Sequence, residues 1–75
     1  MIELTFHREL YAGEAVDEAA KLYEPYATIE RVAEEHRWVV RVTAEAPARE
    51  RRIANELANF ALGITIERAS GARPS

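Results

Sequence analysis

Two histidines, His7 and His36, and the ionisable run Glu34-Glu35-His36-Arg37 are where chemistry could begin. A metal centre needs three or four donors converging on one ion. His7 alternates with Phe6 and points away from the core, and His36 falls in a turn, so nothing in the sequence draws the two together. No cysteine is present, which excludes thiolate ligands, disulfides and a Cys nucleophile. The acidic run could do acid–base work only with a buried carboxyl of displaced pKa, whereas a hairpin tip is wet. Asp17 sits at a helix start, and Ser70 and Ser75 lie in a polar tail, so no Ser-His-Asp set assembles. Three isolated glycines make no phosphate loop. The expectation is a protein that is not an enzyme and carries neither metal nor cofactor.

Binding is the remaining chemistry. Arg49-Glu50-Arg51-Arg52 is a small basic cluster at a helix start, where the helix dipole favours negative charge instead. An acidic partner or a phosphate could meet Arg49, Arg51 and Arg52 there. Val39, Arg41 and Thr43 share one face of an extended segment and form a mixed, open surface suited to contact. Tyr11, Tyr23 and Tyr26 flank a helix, where a ring can be buried while its hydroxyl stays wet. A net charge of −3 without a basic stripe argues against nucleic acid. The open sheet face, with Glu3, Thr5, His7, Val39, Arg41 and Thr43, also lacks the aromatics that RNA-binding sheets use.

The elements that position these residues follow from periodicity. Ile2, Leu4 and Phe6 alternate with Glu3, Thr5 and His7, as in a half-buried strand. Val16, Ala19, Ala20 and Tyr23 recur at helical spacing over Gly13–Tyr23, and Pro25 ends that helix. Ala27 to Glu34 reads as a polar edge strand, and Trp38 to Ala44 as a central one rich in strand formers. Only Glu35-His36-Arg37 separates the two. Pro47 fits the first turn of a second helix. Its buried side is Ile53, Leu57, Phe60 and either Ile64 or Leu62. Gly63 can close it, and β-branched Ile64-Thr65-Ile66 then predicts a last strand to about Arg68; the alternative is a longer helix.

The order β-α-β-β-α-β is that of a small two-layer α+β sandwich, ferredoxin-like. Residues 1–69 form one domain and 70–75 a polar tail. Trp38, Val40, Val42, Leu4, Phe6, Leu57 and Phe60 are the expected core. At 75 residues the core is thin, so partner surfaces or a homodimer would help. No apolar run is long enough for a membrane, and the first residues lack a signal-peptide pattern. The zero cysteine count suits a cytoplasmic protein.

The stretch from Glu9 to Tyr23, Glu-Leu-Tyr-Ala-Gly-Glu-Ala-Val-Asp-Glu-Ala-Ala-Lys-Leu-Tyr, resembles an early segment of the HxsD-like proteins. In that segment a strand leads through Leu-Tyr into a helix with Ala-Ala. Ile53 to Leu62 is similar to the Asn-Glu-Leu helix of the same family. Gly63 departs from it, since the family carries a basic residue there and continues helical. The resemblance implies a small accessory protein of His-Xaa-Ser systems, which resemble radical-SAM peptide-modification pathways. Its implied partner is a radical-SAM enzyme or the substrate peptide. The other reading is a small ligand-binding regulatory domain that dimerises through its sheet.

Overall fold

Glu35 and His36 reverse the chain between two strands, and everything else packs on that hairpin. The computed structural model describes residues 1–71. In chain order the elements are β1 (Ile2–His7), α1 (Gly13–Tyr23), β2 (Thr28–Ala33), β3 (Arg37–Thr43) and α2 (Pro47–Gly71). The sheet order is β1-β3-β2, antiparallel throughout. β1 and β2 therefore run parallel to each other, with β3 between them and α1 as the crossover. Among the described residues this is the α+β arrangement of a ferredoxin-like fold without its last strand.

Ile64-Thr65-Ile66 is the point of correction. The expected fourth strand is helical, and α2 runs through Gly63 to Gly71. The reason is a stripe that local strand propensity conceals. Leu57, Ala61, Ile64 and Arg68 lie on one face at helical spacing. Leu57 and Ala61 are fully buried, Ile64 half-buried, and Arg68 pairs with Glu14 of α1 at 2.9 Å. The Thr65 hydroxyl donates to the Ala61 carbonyl one turn back, at 2.8 Å. Gly63 has no positive φ and faces open space, so it caps nothing. Its cost to the helix, about 1 kcal/mol, is outweighed by this packing. Ser70 and Gly71 belong to the helix, and the remaining tail, 72–75, lies outside the described residues.

The core is Phe6, Val40 and Val42 from the sheet with Val16, Ala19, Ile53, Ala54, Leu57 and Ala61 from the helices. Leu4 and Trp38 pack against it half-buried. Phe60, expected inside, is 37% exposed. The helix is rolled towards its small side chains instead: Ala54 and Ala61 flank Leu57 at the contact, and Ala15, Ala19 and Ala20 of α1 are likewise buried. Alanine lets the two helices approach closely, and the roll carries Phe60 out to the rim beside Glu18.

Gly13 is required for a packing reason. A Cβ there would lie 2.8 Å from the Trp38 ring. The ring itself is held on two sides. Its indole N–H donates to the Tyr11 carbonyl at 3.1 Å, and the Arg8 guanidinium stacks 4.1 Å from its centroid. Phe6 and Tyr11 meet edge to face at 4.9 Å.

Candidate functional site

The outer face of the sheet carries charges in rows. Arg41 sits between Glu3 and Glu30 in the strand register. Its Nε lies 3.0 Å from Glu3 and its Nη1 3.4 Å from Glu30. Hydrogen bonds to Glu3, then to Glu30, push the Arg41 pKa further up. Arg41 is thus on the expected face but already engaged. Val39, proposed there as a contact, is only 2% exposed. It lies between Thr5 and Val32 across the strands and between Arg37 and Arg41 along its own, so it cannot itself meet a partner. Thr43 is exposed at the end of β3.

The three arginines of α2 are not one patch. Successive helical residues turn by about 100°, so Arg51 stands on the flank opposite Arg49. Arg49 and Arg52 line a cleft with Tyr23, Tyr26, Ile53 and Glu56. Arg49 also donates to the Tyr26 carbonyl at 3.4 Å, and Arg52 lies 3.9 Å from Glu56. Thr43 and Arg49 share a second cleft at the end of the sheet. The two expected groups therefore come together at that cleft, through Thr43 and Arg49. Burial, then Glu56, then Tyr26 raise the Tyr23 hydroxyl pKa.

Glu50 has a different task from its arginine neighbours. It is buried, and its carboxylate accepts the Ala44 N–H at 3.0 Å and meets the Met1 amine at 3.0 Å. The Ala44 hydrogen bond, then the one from the amine, hold its pKa below the ordinary carboxylate value. Glu50 pins the start of α2 to the end of β3.

His7 and His36 stay in their strand and turn positions. His36 lies 3.8 Å from Glu35 with both side chains almost fully exposed. Glu34 is paired with Arg37. Among the described residues, no group of three or more His, Asp or Glu is placed to hold a metal ion. Among the same residues, no helix is long and apolar enough to cross a membrane.

The surface that the sequence reading missed is the outer edge of β1. The Arg8 N–H donates to the His36 carbonyl at 3.0 Å. These two residues stand opposite each other, in step with His7↔Arg37. Directly opposed antiparallel pairs alternate between bonded and non-bonded. Phe6, Leu4 and Ile2 therefore bond to β3, and Glu3, Thr5 and His7 aim their peptide groups outward. The His7 carbonyl is used by the Leu10 and Tyr11 N–H groups, at 3.1 and 2.9 Å. The N–H and C=O of Glu3 and Thr5, and the His7 N–H, face the edge, which has no neighbouring strand among the described residues. On the inner face beside them, Ile2 and Leu4 are half-buried, although their β3 partners Val42 and Val40 are fully buried. The missed signal was the stripe through Ile64 and Arg68, because a fourth strand would have covered this edge.

No family model, curated protein or solved structure matches this chain.

Proposed function

We propose that this chain is a non-catalytic accessory protein that binds a protein or peptide partner. The observation that carries the reading is the half-covered inner face of β1, where Ile2 and Leu4 are half-buried and no strand lies beyond the sheet edge among the described residues. Exposed Leu62 and Ile66 on α2 extend the apolar surface of the molecule. Arginines suit an acidic partner: Arg51 is exposed on the same helical flank as Leu62, and Arg49 and Arg52 are exposed on the other flank, towards α1. The resemblance of Glu9–Tyr23 and Ile53–Leu62 to HxsD-like proteins points to a radical-SAM enzyme or its substrate peptide as the partner class.

The test has two arms. The genes beside this one are read for a radical-SAM enzyme, and that enzyme is co-expressed with the tagged chain. Co-purification in stoichiometric amount is the expected result. Reversing Arg49, Arg51 and Arg52 to Glu should slow association and leave the fold intact. Absence of such a neighbour, together with a protein that retains no partner, would sink this role. The competing reading, a regulatory domain that takes a small ligand and dimerises through its sheet, rests on the cleft of Tyr23, Tyr26, Arg49 and Arg52. Tight binding of a small anionic metabolite by a partner-free protein would select it.

A further inference from the structure

We infer that the β1 edge accepts one extended peptide segment of a partner as the fourth strand of the sheet, apolar on its inner face and cationic opposite Glu3. This deepens the binding role above and rests on it.

Layer widths argue for one strand. Two helices side by side span roughly 20 Å, and three strands at about 4.8 Å spacing span roughly 14 Å. The helix layer is wider than the sheet by about one strand. α2 packs over β1 and β3, and α1 over β2 and β3. At the β2 side the excess is filled by Arg31, whose guanidinium reaches Asp17 and Glu24. At the β1 side no strand continues the sheet among the described residues, and Leu4 is left half-buried next to a fully buried Val40.

The same widths disfavour a second copy of β1 on this edge. Six strands would span about 29 Å and four helices about 40 Å, so two overhanging α2 helices would compete for the same space. A lone peptide brings no helix.

The charge rows state the chemistry. Across the outer face, Glu30, Arg41 and Glu3 alternate in sign, and the next position in that row calls for a cation. The row above it, Val32, Val39 and Thr5, calls for a β-branched residue. Positions beside Ile2, Leu4 and Phe6 call for apolar side chains. An antiparallel segment of the pattern Val-Thr-Val-Lys-Val meets all of these. β3 serves the other edge of β1 in the same way, with Val39 opposite Thr5 and Arg41 opposite Glu3.

The experiment is fluorescence polarisation of a labelled peptide with Val-Thr-Val-Lys-Val at its centre, titrated with the full chain. Saturable binding is expected. Replacing the peptide's Lys by Glu should weaken it roughly fivefold or more. Methylating the peptide nitrogens that face β1 should abolish it with the protein untouched. Thr5→Pro should also abolish it, because Thr5 aims its N–H outward and its loss spares the β1–β3 ladder. An unchanged thermal melt shows that this variant folds, and the methylated peptide decides the matter if it does not. Equal binding of the methylated peptide, or no binding of any form, overturns the inference. So does a dimer in sedimentation that Thr5→Pro dissociates, since the edge would then take a second copy. A radical-SAM partner retained equally by wild type and Thr5→Pro overturns the edge assignment while the accessory role stands.

Discussion

β2 and β1 flank the same central strand, yet they end the sheet in different ways. β2 turns Arg31 towards the helices, and Asp17 and Glu24 hold it there. An inward charge makes an edge costly to extend, because a new strand would bury it beside apolar neighbours. β1 offers only Ile2, Leu4 and Phe6 on that side. Its carboxylate, Glu3, lies on the other face, within an ion-paired row. One edge is guarded and the other is prepared. What separates them is one inward position: both strands carry an outward glutamate in the Arg41 row, Glu3 and Glu30, but beside Val40 β2 has Arg31 where β1 has Leu4.

Substitutions separate the covered and half-covered parts of β1. Phe6→Ala should cost about 3–5 kcal/mol, as for other buried aromatics, whereas Ile2→Ala should cost much less because Ile2 is half-exposed. Urea unfolding measures both. Equal losses would mean that the β1 edge is not half-covered in solution. Gly13→Ala should cost about 1–3 kcal/mol, since the added methyl meets the Trp38 ring. A neutral result would show that the indole can shift.

Glu50 gives a dependence on pH. Its folded pKa is lowered, so its contribution is fully present above the ordinary carboxylate range, about pH 4.3, and is lost as pH falls through the folded value. Glu50→Gln should flatten that part of the acid limb in thermal melts taken from neutral pH downwards. An acid limb identical in both proteins contradicts the assignment. Gly63→Ala should stabilise by about 0.5–1 kcal/mol, because the site is helical and open. Arg31→Leu should change monomer stability least, by no more than about 1 kcal/mol for exposed pairs. Its readout is sedimentation: removal of the guard should let β2 edges associate. A variant that stays monomeric would show that the inward charge is not what protects that edge.

Much of this architecture was legible because its signals are local. Alternation gave Ile2–His7, Pro47 marked the second helix, and the short spacing around His36 fixed the hairpin. Val40, Val42, Leu57 and Phe6 were placed in the core by period alone, and they are buried. The failures share one cause: a tertiary contact overrode local propensity. Ile64-Thr65-Ile66 looks like a strand until Arg68 is seen to reach Glu14. Phe60 looks like core until Ala54 and Ala61 are seen to occupy the buried side of the helix with Leu57. The first of these errors also hid the candidate site, since a strand at 64–68 would have occupied the edge now assigned to a partner. Arg41 and Val39 were assigned to the correct face, but pairing and burial depend on Glu3, Glu30 and Val32, which lie far away in the chain.

The register of β1 also bears on how the chain folds. Its pairs with β3 join residues 30 to 40 positions apart, from His7↔Arg37 to Ile2↔Val42, whereas β2 and β3 close over 5 to 15, from Ala33↔Trp38 to Thr28↔Thr43. Closing a longer loop costs more chain entropy before any contact repays it. The expected sequence of events is hairpin first and β1 last. Leu4→Ala should then speed unfolding and leave the folding rate nearly unchanged. A strand added outside β1 makes contacts absent from that transition state, so its binding should lengthen the lifetime of the native chain without hastening its formation.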